Sequence, residues 1–202
     1  MVMTGKQVSW FRRNDMKQKK IKKYTWSMFL SLVVCMTFVF SGCGNKKASE
    51  SMLGESGQAT ELSQGDQAPD FTAEVNDGST FSLSEQKDKV ILLNFWATWC
   101  GPCVEEMPAF EKLYQEYGDQ VAILAVNSME DKGTVDRFIE EQGYTFPIAY
   151  DEKGEIISKY PTDGIPYTLV IGKDGTVKKI YIGAKGAEQQ YEEYKSAIDS
   201  EL

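Results

Sequence analysis

Two uninterrupted apolar runs constrain this chain most: KVILLNFWA at residues 89–97 and QVAILAVNS at residues 120–128. Runs apolar along their whole length are strands buried on both faces, since a strand with one wet face alternates apolar and polar residues. Both faces then need covering layers, and the intervening sequence supplies helices. After Cys100, Met107, Phe110, Leu113, Tyr114 and Tyr117 recur at helical spacing. TVDRFIEEQGY (134–144) does the same and ends at Gly143. FPIAY (146–150) predicts a short strand, followed by the helix-like KGEIISKY (153–160). YTLVI and TVKKIYIG flank Gly172-Lys173-Asp174-Gly175 as an antiparallel hairpin, and EQQYEEYKSAID (188–199) closes as an amphipathic helix. Upstream, APDFTAEVNDGSTFSL (68–83) alternates around Asn76-Asp77-Gly78, which is hairpin chemistry. The pattern predicts an α/β sandwich: a mixed sheet flanked by helices, with an added N-terminal β-hairpin.

Charge divides the chain differently. Residues 1–43 carry eight Lys/Arg and one acid, while residues 44–202 carry 14 basic and 29 acidic residues. An acidic body with one arginine, Arg137, argues against nucleic acid and against sites built on bidentate anion clamps. KQKKIKKY (17–24) precedes seventeen uncharged residues, WSMFLSLVVCMTFVFSG (26–42), which reads as an export signal. Seventeen is short against the ~20 residues that span a bilayer, though an uncleaved anchor is the alternative. FSGC (40–43) resembles the lipobox of bacterial lipoproteins, with Phe40 where an aliphatic residue is usual, so Cys43 is the lipidation candidate. Either anchor places the body extracytoplasmic, at the bacterial cell membrane. Met16 opens a signal of ordinary length and is a candidate start. Residues 44–66, polar and without aromatics, read as a flexible tether. Residues 67–202 then form one domain of 136 residues.

Cysteine usage narrows the chemistry. Cys35 lies in the apolar segment and Cys43 at its end, so the body holds only Cys100 and Cys103, and the chain has no histidine. Structural zinc wants four ligands, and covalent haem needs a histidine where Val104 stands, so no metal is expected. A disulfide closing so short a loop constrains little of the unfolded chain. Redox exchange fits what is present: two thiols where a strand becomes a helix. Gly101-Pro102 suits the helix's first turn, where a missing amide proton costs nothing. Unpaired amides and the dipole's positive end favour a thiolate at Cys100. Lowering a thiol pKa from ~8.5 to ~7 gains only about three-fold in attack rate, because intrinsic nucleophilicity falls. The same change moves the redox poise by on the order of 45 mV.

FWATWCGPC resembles the active-site sequence of the thioredoxin superfamily, and GIPYTLVI (164–171) resembles that family's cis-proline loop at Pro166. With the initial hairpin and the CVEEMP continuation, residues 67–202 resemble the membrane-anchored TlpA/ResA-like branch. The resemblance implies a thioredoxin-like fold and an extracytoplasmic thiol-disulfide oxidoreductase whose only redox group is its own disulfide. The Gly-Pro spacer resembles that of reducing members. Protein thiols or disulfides are the implied partners, as in cytochrome c maturation or general disulfide reduction. A reductase also implies a membrane electron donor. No nucleic acid is expected, and the body is expected to be a monomer. Carried over by residue, Cys100 is the attacking thiol and Cys103 the buried resolving thiol. Trp99, Gly101, Pro102, Ile165 and Pro166 border the substrate groove, with Ile165 offering backbone bonds to an extended peptide. Glu106, three residues after Cys103, is a candidate proton relay, with a solvated helix carboxylate as the alternative. Asn94 stands where cytoplasmic thioredoxins carry a buried Asp, and an amide cannot accept the proton.

Two other functions fit less well. A thiol peroxidase needs Pro-x-x-x-Thr/Ser-x-x-Cys, but Ala97 and Cys100 occupy the positions three before the two cysteines. A non-catalytic lipoprotein adhesin or binding module on the same scaffold is the remaining alternative.

Overall fold

The computed structural model describes residues 61–202. The signal segment, Cys43, Met16 and most of the tether lie outside the described residues. Strand β1 (Thr72–Glu74) pairs antiparallel with β2 (Thr80–Ser82) as a separate two-stranded sheet. The connection carries Asn76-Asp77-Gly78, with Gly78 at φ 81° and its N–H donating to the Val75 carbonyl at 2.9 Å. A non-glycine residue adopts that backbone only under strain.

The central sheet follows in the order β5 (Ile148–Asp151), β4 (Val121–Ser128), β3 (Val90–Trp96), β6 (Tyr167–Ile171) and β7 (Val177–Ile182). Strand β3 (Val90–Trp96) leads into helix α1 (Gly101–Tyr117), then strand β4 (Val121–Ser128) and helix α2 (Lys132–Gln142). Strand β5 (Ile148–Asp151), β6 (Tyr167–Ile171), β7 (Val177–Ile182) and helix α3 (Ala187–Asp199) complete the domain. Strands β3, β4 and β5 are parallel, whereas β6 runs antiparallel to β3 and β7 antiparallel to β6. Every residue of β3 and β4 is buried, as their apolar runs require.

Each face of β3 has its own partners. Val90, Leu92 and Trp96 pack with Met107, Phe110 and Leu113 of α1, Val135 and Ile139 of α2, and Tyr191, Tyr194 and Ile198 of α3. Ile91, Leu93 and Phe95 face the hairpin residues Phe71, Ala73 and Phe81, together with Ile156 and Tyr160. Strand alternation therefore puts Asn94 on the helix face. That placement builds the polar site described below.

Two segments differ from expectation. KGEIISKY forms only a turn and the 3₁₀ segment Ile157–Lys159. Left-handed Gly154 (φ 69°) and Pro161 bracket it, and the Asp151 carboxylate accepts from the Ile156 and Ile157 N–H groups at 3.0 and 2.9 Å. Those bonds satisfy a tight turn rather than a continuing helix. Residues 63–66, assigned by composition to the tether, already contact the sheet edge. Gly65 N–H donates to Val177 O, and Val177 N–H to Asp66 O, both at 2.8 Å. No helix among the described residues is long and apolar enough to cross a membrane.

Candidate active site

Strand β3 ends at Trp96, and residues 97–100 turn the chain into α1. Cys100 is the N-cap: its sulfur accepts from the Cys103 N–H at 3.3 Å, satisfying one of the helix's unpaired donors. Cys100 and Cys103 are bridged, with Cα atoms 5.2 Å apart. Cys100 keeps 6% of its surface exposed and Cys103 none. The attacking thiol expected at Cys100 is thus far more covered than its role suggests, yet Cys100 is the only residue of the pair that solvent reaches. Trp99 beside it is 72% exposed, and Gly101 and Pro102 are exposed at the helix start. Trp96, by contrast, is fully buried against Phe138.

The loop before β6 comes from about sixty residues further along the chain and meets the disulfide. The Ile165–Pro166 peptide is cis, and Cys100 Sγ lies 3.8 Å from the Ile165 carbonyl oxygen. Ile165 is half-buried and Pro166 buried. The structure therefore brings Trp99, Cys100, Gly101, Pro102, Ile165 and Pro166 to one end of the sheet.

Beneath the disulfide lies a closed polar ring. Glu106 sits one helical turn beyond Cys103 and is wholly buried, which rules out the solvated-carboxylate alternative. Asn94 Nδ2 donates to Glu106 Oε1 at 2.9 Å and to Thr168 Oγ1 at 2.9 Å. Tyr194 Oη donates to Glu106 Oε2 at 2.9 Å and lies 3.1 Å from Thr168 Oγ1. Asn94 and Thr168 are register partners in the β3–β6 pair, so their side chains emerge on the same face. Burial pushes the Glu106 carboxyl up from 4.5 to about 7, against the bonds from Tyr194 and Asn94 that favour the carboxylate. A carboxyl so placed changes protonation near neutral pH.

Sequence reasoning missed Thr168, Tyr194 and Glu130. Thr168 was visible only through its position two residues after Pro166, and Tyr194 only as one aromatic of an amphipathic helix. Glu130, just past β4, anchors the active-site loop. Its carboxylate accepts from Thr98 N–H at 2.7 Å, Thr98 Oγ1 at 2.6 Å and Asn127 Nδ2 at 2.8 Å. Glu130→Ala leaves the two Thr98 donors and the Asn127 amide without this acceptor. It is expected to destabilise the oxidised domain by about 2 kcal/mol, read as a lower denaturation midpoint at unchanged denaturant slope.

A thioredoxin-like fold with a bridged Cys-Gly-Pro-Cys at a helix start, facing a cis-proline loop, defines a dithiol-disulfide exchange protein. The Redoxin family model matches residues 63–198. The thiol-disulfide oxidoreductase ResA of Halalkalibacterium halodurans is 41% identical over 138 residues, covering 68% of this chain and 78% of that protein. The thioredoxin-like protein YneN of Bacillus subtilis is 42% identical over 125 residues, covering 60% and 73%. A Chlorobium tepidum structure assigned as a thiol:disulfide interchange protein DsbE superposes with a TM-score of 0.64 at 29% identity, covering 69% of this chain and 98% of that one. The chain belongs to the Redoxin family and, within it, to the TlpA/ResA-like thiol-disulfide oxidoreductases. Protein thiol-disulfide exchange is its activity.

Proposed function

We propose that this protein is a membrane-anchored, extracytoplasmic reductase of protein disulfides, with the disulfide form of apocytochrome c among the substrate types that suit it. The observation that carries this reading is the asymmetry of the pair. Cys100 is the only residue of the pair with any exposed surface and lies beside exposed Trp99, whereas Cys103 is enclosed one helical turn before a buried carboxyl. In the reduced state the Cys100 thiolate attacks a substrate disulfide, bonding one substrate sulfur and releasing the other as a thiolate. The Cys103 thiol passes its proton to the Glu106 carboxylate and attacks Cys100 Sγ. The second substrate sulfur leaves, and the Cys100–Cys103 bridge forms. Two electrons move from the enzyme to the substrate, and an external dithiol donor restores them. Trp99, Gly101, Pro102, Ile165 and Pro166 form the groove that seats the substrate chain, with the Ile165 backbone hydrogen-bonding to it. The FSGC sequence supports lipid attachment at Cys43, with the following polar residues as tether.

Two measurements test the reading. A midpoint potential near about −270 mV fits a reductase, and one near about −120 mV overturns it in favour of an oxidant. A full-length Cys103→Ser protein, unable to resolve its mixed disulfides, is expected to trap disulfide-bearing partners in the membrane fraction. Loss of the protein from that fraction in a Cys43→Ala variant checks the lipid anchor separately.

A further inference from the structure

The hydroxyl of Tyr194 sits at the centre of α3, 88 residues from Glu106 in sequence, yet it reaches that buried carboxyl at 2.9 Å. The ring closes on donor count. Asn94 Nδ2 carries two hydrogens, one for Glu106 Oε1 and one for Thr168 Oγ1. Tyr194 carries one hydrogen, and Glu106 Oε2 takes it. The Thr168 hydroxyl hydrogen is then free to point to Tyr194 Oη, 3.1 Å away. Each carboxylate oxygen receives one donor, and each donor is held by a different element of the fold. Deleting the Tyr194 oxygen removes half of the direct hydrogen bonding to Glu106 and leaves Thr168 bonded only to Asn94.

We infer that Tyr194 is a positioning residue: through its hydroxyl, the C-terminal helix fixes the Glu106 carboxyl and favours its ionised form. This rests on the reading of Glu106 as the acceptor of the Cys103 proton. Hydrogen bonds to a charged group are the stronger kind, so this one counts against the burial that favours the protonated form. The carboxyl is bonded by Asn94 of β3 and Tyr194 of α3, Thr168 of β6 bonds both of these, and Cys103 lies one turn before Glu106 on its own helix. Burial raises its pKa, and the bonds from Tyr194 and Asn94 lower it. The ring of Tyr194 packs against Phe110 and Tyr181, with centroids 5.4 and 5.1 Å away, so a phenylalanine keeps the packing and loses only the hydroxyl.

The test is a ¹³C NMR titration of the Glu106 side-chain carboxyl in the full domain, wild type against Tyr194→Phe. The midpoint is expected to rise by about one pH unit, a tenfold gain in proton affinity. Thr168→Val, which breaks the ring at its other corner, is expected to move it the same way by less. An unchanged midpoint in Tyr194→Phe overturns the inference, even if the variant is less stable, because a purely structural role lowers stability without shifting the titration. The proton role is read separately, from the pH profile of mixed-disulfide resolution. If the NMR midpoint moves with Tyr194→Phe but the kinetic profile ignores both Tyr194→Phe and Glu106→Gln, the positioning stands and the relay reading of Glu106 fails. If Glu106→Gln abolishes the pH step and Tyr194→Phe leaves the titration untouched, the relay stands and the positioning role fails.

Discussion

Cys100→Ser is expected to reduce insulin disulfides no faster than the uncatalysed reaction with the same reductant. The reason is geometric as well as chemical. A serine hydroxyl forms no disulfide, and Cys103 has no exposed surface through which to take over the attack. Cys103→Ser is expected to behave differently. It keeps the attacking sulfur, so one substrate equivalent is captured as a mixed disulfide that only an external thiol releases. The fold is expected to survive both changes. Closing a loop of about four residues is worth roughly 2 kcal/mol of chain entropy, against the 5–15 kcal/mol that stabilises a typical domain. A folded Cys100→Ser protein that still reduced insulin at the full rate would remove the dithiol mechanism. Rapid peroxide consumption by the wild type would point to peroxidase chemistry instead, although Ala97 stands where that chemistry needs a hydroxyl three residues before Cys100.

The redox pair was legible from sequence because its signals are local. The buried strand, the cysteines and the proline in the first helical turn lie in one short stretch, and each has a physical reason to be there. The Pro166 loop was legible only through resemblance, since an Ile-Pro by itself marks a turn or an edge. Glu106 shows where local reading stops. At i+3 from Cys103 it lies on the same helix face, but periodicity cannot say whether that face meets water or another helix. The answer comes from α3, which packs over α1 and brings Tyr194 with it. Asn94 lacks the carboxyl that cytoplasmic thioredoxins carry at this position. In the structure its amide does something an Asp in its ionised form cannot, donating to a carboxylate and to Thr168 at once. The short helix expected at residues 153–160 failed for a related reason. Its apolar spacing was real, but Asp151 satisfies its first amides as a turn.

Glu106→Gln is expected to stabilise the oxidised domain at pH 8 while slowing turnover. The sign follows from proton linkage. The folded state holds the Glu106 proton up to about pH 7, whereas the unfolded chain releases it near the ordinary value of 4.5. Between those values the native state binds more protons, so stability falls as pH rises and the full penalty is present above about pH 7. At 1.36 kcal/mol per unit, the penalty is about 3 kcal/mol, or roughly 7–14 °C in melting temperature for a domain of this size. Glutamine carries no such penalty, and its amide can be satisfied: Asn94 donates to its oxygen, and the Tyr194 hydroxyl turns to accept its N–H. Thermal melts of both oxidised proteins from pH 4.5 to 8 are the measurement. The curves are expected to converge at the acid end and separate as pH rises. Parallel curves would mean that Glu106 is not titrating in this range. Slower resolution of the mixed disulfide alongside the higher melting temperature would show what the buried carboxyl is kept for. A side chain that weakens the fold above neutral pH and speeds proton removal from Cys103 is held there by function rather than by stability.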